Sequence, residues 1–171
     1  MRVRKQVAAV FLCAFLSGAG PPFAQALDQH ASGGGTYFVE PGIRSEFQFN
    51  ESHVQCKIGH AVMPDGTTLQ MYMASKGIDS VTIDSAAKTV VITGTMVSIV
   101  RLRFNSGEAA TLTESVPFVL FGQDNGNPGA GQDFFSLTVL YADTPELDQF
   151  DLFGSPATFA GTVATGDIEV R

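Results

Sequence analysis

Tryptophan is absent from this sequence of 171 residues, and tyrosine occurs only at Tyr37, Tyr72 and Tyr141. Because surfaces that bind sugar rings favour tryptophan, nothing specific in the composition indicates carbohydrate binding. Basic residues are also few, since ten lysines and arginines stand against seventeen acids without forming a basic cluster. This charge balance excludes a nucleic-acid-binding protein, which needs a basic patch, and disfavours attachment to an anionic membrane surface.

The sequence also lacks a long hydrophobic run. Its most apolar stretch, residues 7–19, is shorter than the roughly 20 residues that cross a bilayer as a helix. This stretch follows a basic start in residues 1–6 and precedes the small-residue pattern Ala-Gln-Ala at residues 24–26. These are the three parts of a secretory signal peptide. We therefore predict that residues 1–26 are cleaved, and that the mature protein is secreted or periplasmic with no integral membrane segment.

Cleavage would leave an acidic chain with a single cysteine. The predicted signal holds three of the ten basic residues and no acid, so seven basic residues would face seventeen acidic ones. Cys13 would leave with the signal, and Cys56 would have no partner for an intramolecular disulfide. The domain must therefore depend on its hydrophobic core, which a chain of this length can form.

The remaining sequence alternates between apolar and polar residues as β-strands do. Phe47 and Phe49 alternate with polar residues, residues 69–73 repeat the pattern, and Pro-Asp-Gly at residues 64–66 is a strong turn signal. About ten such segments recur at spacings of roughly 8–14 residues. The pattern predicts an all-β fold, either an antiparallel β-sandwich or, as the alternative, a closed or partly open β-barrel.

The predicted domain organisation is simple. Residues 27–35 are polar and glycine-rich, which indicates a flexible lead-in, and residues 36–171 form a single all-β domain. In the barrel alternative, residues 36–40 would pair with residues 166–170 and remove the edges of the sheet. The one helix candidate is residues 144–153, where a proline could occupy the first helical position.

One polar, glycine-rich loop, residues 123–133, lies between two strongly apolar strands. Four of its side chains could offer oxygen ligands to Ca²⁺, which binds six to eight of them: Asp124, Asn125, Asn127 and Asp133. The match to a Ca²⁺-binding loop is poor, because Gly126 stands at the third position, where an oxygen ligand is expected. The alternative is a strand connection in which the Asp and Asn side chains bind nearby backbone.

The sequence contains no recognised catalytic motif, such as G-x-S-x-G, H-E-x-x-H, a P-loop or a dinucleotide fingerprint. His60 and Cys56 fall on the apolar face of one strand, which favours core positions over acid–base or nucleophilic roles. A hydrolase would need a carboxylate pair in a cleft, and the seventeen acids indicate no particular pair. Arg101 and Arg103 indicate a partly solvated face with a surface ion pair, or alternatively a ligand-binding arginine pair.

The glycine-rich loop also resembles part of a known family. Residues 124–129, Asp-Asn-Gly-Asn-Pro-Gly, and residues 133–137, Asp-Phe-Phe-Ser-Leu, resemble the signature of the post-choice-of-anchor (post-COAP) domain of bacterial secreted proteins. That family typically carries Asp-Asn-Gly-Glu-Pro-Gly, so Asn127 replaces an acid, and any metal argument drawn from the family is weakened. Looser similarities at residues 33–36, 47–49 and 161–170 extend the resemblance to residues 33–171. It implies a bacterial, exported all-β module and no established activity.

Three functional hypotheses remain open. The first is a secreted, non-catalytic β-module that binds an extracellular protein, a glycan or a cell-surface component. The second is a Ca²⁺-stabilised structural or adhesion module, and the third is a carboxylate-dependent hydrolase. Convergent oxygens in the loop would favour the second, and two close acids in a deep pocket would favour the third.

Overall fold

The computed structural model describes residues 29–40, 42–126, 128–141 and 156–171, and all of its regular elements there are β-strands. The eight strands are β1 (Ala31–Glu40), β2 (Ile43–Asn50), β3 (His53–Val62), β4 (Thr68–Asp84), β5 (Thr89–Arg103), β6 (Ala109–Gln123), β7 (Phe134–Val139) and β8 (Ala157–Val170). Each strand pairs antiparallel with its neighbours in the order β1-β2-β3-β4-β5-β6-β7-β8, and the sheet closes on itself. The all-β prediction is confirmed, and of its two forms the barrel is the correct one.

The barrel closes where β1 pairs with β8, so the first and last strands meet as the barrel alternative predicts, but residues 166–170 pair with residues 31–35 and not with residues 36–40. Ala31 lies opposite Val170 and Gly35 lies opposite Gly166. The strand therefore begins within the segment interpreted as a flexible lead-in, because residues 32–35 pair with β2 and residues 31–35 pair with β8. Glycine is required at Gly35, where a Cβ would overlap the carbonyl oxygen of Thr165. The glycines that suggested flexibility thus allow close strand packing instead.

The structure has fewer strands than the sequence pattern predicts, because three of them each join two predicted segments. β4 joins residues 69–73 to residues 80–84, β5 continues through a glycine at position 94, and β8 continues through a glycine at position 166. The predicted hairpin between β4 and β5 is confirmed. The Asp84 carboxylate accepts hydrogen bonds from the backbone amides of Ala86 and Ala87 at 3.0 and 2.9 Å.

Apolar side chains fill the inside of the barrel. Phe47 stacks on Phe135 with 4.3 Å between the ring centroids, and the ring of Tyr37 lies 5.1 Å from that of Phe135. Other large side chains in the core are Phe118, Met71, Met73, Ile92, Met96, Leu120 and Leu137. Since the interior is occupied by side chains, the surface available to a ligand is the outside of the barrel.

Two irregularities bend β4 across the barrel. Its register against β5 shifts between Ser75 and Gly77 and again between Ile78 and Ser80. Bulges of this kind bend a strand and increase its twist. At the bend, a Cβ on Gly94 of β5 would overlap the carbonyl oxygen of Gly77. The absence of a side chain at position 94 therefore permits the bend.

This close approach makes position 94 sensitive to substitution. We expect Gly94→Ala to lower the free energy of unfolding by about 1–3 kcal/mol, because the added methyl group forces the two strands apart. The matched control is Gly77→Ala on the facing strand, where a Cβ would meet nothing within 4 Å. Urea denaturation should show a loss in the first variant and none in the second. Equal stability of both variants would contradict this account of the bend.

Two predictions fall on residues that lie outside the described ranges. They are the signal peptide at residues 1–26 and the helix at residues 144–153. Within the described part of the chain, no helix has the length and apolar character needed to cross a membrane.

Candidate functional site

A shallow groove crosses the outer surface of the barrel from β2 to β6. It consists of three adjoining depressions of about 110, 240 and 670 Å³. Lys57 borders the first two, and Gln70 and Arg101 border the last two, so each depression lies directly beside the next. We call this feature the outer groove and define it by Lys57, Gln70, Tyr72, Arg101, Arg103 and Thr111.

The strand register brings these side chains together. Gln70 of β4 lies opposite Arg101 of β5, which in turn lies opposite Thr111 of β6. Tyr72, two residues along β4, lies opposite Lys57 of β3. Alternate residues of a strand point to the same face of the sheet. Since the residues adjacent to these positions point into the barrel, the side chains of this set point outward. Residues from four strands therefore form one polar surface.

Arg101 and Arg103 carry most of the positive charge of this surface. Both are exposed, and they share the outer face of β5 because they are two residues apart. Within the described residues neither side chain forms an ion pair, so the surface ion pair expected for them is not observed. Lys57 has a weak partner, because its Nζ lies 3.8 Å from the Glu46 carboxylate. The two guanidinium groups thus face solvent with their donors available.

Tyr72 is the tyrosine that faces the outer groove. Its side chain is 39% exposed, whereas Tyr37 and Tyr141 are buried in the core. The outer groove therefore holds an aromatic ring beside the amide of Gln70 and the guanidinium of Arg101. An aromatic face next to groups that donate and accept hydrogen bonds can bind a partly polar, partly apolar ligand surface.

His60 does not face inward, so that interpretation of the alternation is wrong. Its side chain is exposed and borders the largest depression of the outer groove. The cause is a register shift between Ile58 and Ala61, where β3 passes out of regular pairing with β4. A bulge adds a residue to one strand and reverses the facing of the residues that follow.

The glycine-rich loop between β6 and β7 has a different position, beside β8. β7 pairs only with residues 157–162 of β8, so the following residues of β8 lack β7 as a neighbour. Asp133, which is fully buried, lies against them: its Oδ2 accepts a hydrogen bond of 2.7 Å from the amide of Ile168. Its Oδ1 accepts another of 2.8 Å from the amide of Asn125.

Other loop residues continue this pairing. Asp124 Oδ2 accepts a hydrogen bond of 3.3 Å from the amide of Val170, two residues after Ile168. From β8, Asp167 Oδ1 accepts one of 2.8 Å from the amide of Gly129. The side chain of Asn125 donates to the carbonyl of Gln132 at 2.9 Å. Carboxylates thus replace the backbone carbonyls that a longer β7 would have provided.

These contacts show where the Ca²⁺ candidates lie. Asp124, Asn125 and Asp133 are brought together beside β8, and Asn127 lies outside the described residues. Among the residues that the structure describes, no three His, Cys, Asp or Glu side chains form a group that could hold a metal ion. The carboxylate oxygens bind backbone amides, including amides distant in the sequence. Ca²⁺ binding stays a prediction.

Cys56 is fully buried, as the alternation predicts. Its Sγ lies 3.3 Å from the hydroxyl oxygen of Tyr37. Burial raises the pKa of the Cys56 thiol to about 12, and burial likewise raises the pKa of Tyr37. A neutral, enclosed thiol is a poor nucleophile, so this residue belongs to the core.

The fold and the outer groove together define a closed eight-stranded antiparallel barrel with a polar groove on its outer surface. Models of protein families, curated proteins and solved structures were all compared with the chain, and none matches it. The resemblance to the post-choice-of-anchor domain therefore stays a prediction.

Sequence reasoning missed the outer groove because its residues are distant in the chain. Lys57, Tyr72 and Arg101 become neighbours only through the registers of β3, β4 and β5. The available signal was the alternation of each strand, which predicts that Tyr72 points outward because its neighbours Met71 and Met73 point inward. That signal gives the face of each residue but not which residues are opposite each other.

Proposed function

We propose that this chain is an exported, non-catalytic module that binds an extracellular protein or glycan through the outer groove. The observation that carries the proposal is the run of adjoining depressions across five strands, with Tyr72 and two exposed arginines along it. Binding sites combine an apolar contact area with a few polar groups that fix the orientation of the ligand. The outer groove has both.

The chemistry of the lining supports binding more than catalysis. Guanidinium, ammonium, amide and hydroxyl groups from Arg101, Lys57, Gln70 and Thr111 donate or accept hydrogen bonds. These groups hold a ligand without attacking it, since none is a strong nucleophile in its ordinary protonation state. Export is the part of the proposal that comes from the signal-like residues 1–26.

Tyr72 provides the test of this proposal. We expect Tyr72→Ala to weaken binding of the natural ligand about tenfold, because the variant removes the aromatic contact surface. The matched control is Phe38→Ala, which removes another outward aromatic side chain, 53% exposed, from β1, a strand that contributes no residue to the outer groove. The purified protein and both variants would be applied to arrays of polysaccharides and of extracellular proteins.

Signals lost in Tyr72→Ala and retained in Phe38→Ala would support the outer groove as the binding site. Signals lost equally in both variants, or retained in both, would contradict it. Thermal unfolding of each variant shows whether the fold is intact.

A further inference from the structure

The charge of the outer groove is opposite to that of the whole chain. The complete sequence carries a formal net charge of −7. The charged side chains that border the two larger depressions of the outer groove are nevertheless Lys57, Arg101 and Arg103, and neither depression is bordered by an aspartate or glutamate. A positive surface on an acidic protein attracts anions to that place and repels them elsewhere. The ligand of the outer groove should therefore carry negative charge.

The two arginines are arranged to contact oxyanions side by side. Arg101 and Arg103 are two positions apart on one strand, which corresponds to a backbone spacing of about 6.6 Å. Gln70 and Thr111 flank Arg101 on the neighbouring strands, so hydrogen-bonding groups surround the guanidinium. Planar guanidinium groups bind carboxylate and sulfate through paired hydrogen bonds. Two such groups suit a ligand with repeated anionic groups.

The floor of the outer groove favours a sugar over a peptide. Residues 68–72 of β4 pair with β5 on one side, and all of them except Gln70 pair with β3 on the other, so this floor is the middle of the sheet and not an open edge. An extended peptide usually gains affinity by adding main-chain hydrogen bonds to an open sheet edge, and this floor offers none. Side chains must therefore make the contacts, and the Tyr72 ring beside amide and hydroxyl groups suits the apolar face and hydroxyls of a sugar ring.

The length of the outer groove favours a chain of sugars over a single one. Its two acid-free depressions span β3 to β6, and neighbouring strands lie about 4.8 Å apart, which gives a length of roughly 14 Å. We infer that the outer groove binds a linear anionic glycan, with Tyr72 packing on a sugar ring while Arg101 and Arg103 contact its carboxylate or sulfate groups. This inference rests on the proposed function and names the ligand class.

The experiment measures binding of the purified protein to five polymers by calorimetry. They are polygalacturonate, its fully methyl-esterified form, dextran sulfate, dextran and polyglutamate. The double variant Arg101→Gln with Arg103→Gln removes both charges and keeps side-chain length. The matched control Arg171→Gln removes one charge at the end of β8, where Arg171 pairs with Glu169.

We expect polygalacturonate, dextran sulfate or both to bind, with a preference that identifies the anion. The double variant should bind at least 30-fold more weakly and with less dependence on salt, whereas Arg171→Gln should bind like the original protein. The methyl-esterified polymer and dextran should not bind.

Other results would overturn the inference in distinguishable ways. If polyglutamate binds as tightly as the anionic polysaccharides, the ligand class is an acidic peptide and not a glycan. A different result is that dextran or the methyl ester binds, with that binding lost in Tyr72→Ala and unchanged in the double variant. This result would support the outer groove as a binding site and exclude an anionic ligand. If all five polymers fail to bind, the anionic glycan is excluded, and the array experiment with Tyr72→Ala and Phe38→Ala then decides the proposed function separately.

Discussion

Replacing Asp133 with alanine is expected to lower the free energy of unfolding by about 3–5 kcal/mol. The carboxylate accepts two backbone hydrogen bonds, from Ile168 at 2.7 Å and from Asn125 at 2.8 Å. Hydrogen bonds to a charged acceptor each contribute about 1.5–3 kcal/mol, and the amide of Ile168 would be left buried without a partner. For a domain of this size the loss corresponds to a fall in melting temperature of about 10–15 °C.

The matched control for this prediction is Asp79→Ala, which removes an exposed aspartate from β4. Its melting temperature should stay within about 2 °C of the original, because an exposed carboxylate contributes little. Asp133→Asn should fall between the two variants, since one of its side-chain atoms still accepts a hydrogen bond while the other becomes a donor facing an amide. A melting temperature unchanged in Asp133→Ala would show that the loop does not stabilise β8.

The same measurement separates this role from Ca²⁺ binding. If the carboxylates mainly bind backbone amides, the loss in Asp133→Ala should be equally large in excess Ca²⁺ and in chelator. A Ca²⁺ site filled at about 100 times its dissociation constant would add roughly 2.7 kcal/mol to the original protein, and only in the presence of the ion. A rise of that size, absent in Asp124→Ala, would establish the metal hypothesis.

Alkaline pH is expected to remove about 3–4 kcal/mol of stability through Cys56 alone. Burial places the pKa of this thiol at about 12 in the folded chain, against an ordinary value of 9.0. Below pH 9 the thiol is protonated in both states, and its contribution is fully present. Between pH 9 and pH 12 only the unfolded chain releases the proton, so stability falls with increasing pH by up to about 1.4 kcal/mol per unit. Above pH 12 both states are ionised.

Cys56→Ser isolates this effect, because a serine hydroxyl can still pair with Tyr37 and does not titrate in this range. Between pH 9 and pH 10, urea denaturation should show a loss about 1 kcal/mol larger in the original protein than in the variant. At higher pH both proteins should lose stability, since burial also raises the pKa of Tyr37 above its ordinary 10.0. Parallel losses from pH 9 onward would contradict the assignment to Cys56.

Much of the fold could be predicted because the alternation of apolar residues is regular. Phe47, Phe49 and Met71 face the core as their positions indicate. The choice between sandwich and barrel could not be made, because both bury one face of each strand and differ only in how the first and last strands pair. Gly33 and Gly35 misled the interpretation, since glycine in a flexible segment and glycine in a close strand contact look alike in the sequence.

The functional surface was harder to predict, for a physical reason. His60 changed face because one bulge in β3 altered the phase, and nothing in its sequence marks the bulge except Gly59. Asp133 finds its partner Ile168 on another strand, so its role depends on β7 being shorter than β8. The sequence drew attention to the loop through its Asp and Asn side chains. Which backbone amides these side chains bind could be seen only in the three-dimensional arrangement.

The pairing of β1 with β8 has a consequence for how the chain folds. Ala31 faces Val170, and His30 and Arg171 exchange backbone hydrogen bonds of 3.3 and 2.9 Å, so the final seam joins residues from opposite ends of the described chain. The hairpins around β5 need only local contacts and can form early, whereas the seam must overcome the entropy of closing a very long loop. Until it forms, β1 and β8 each present an open strand edge. The slowest step of folding is then also the one at which two chains in the same solution can exchange strands.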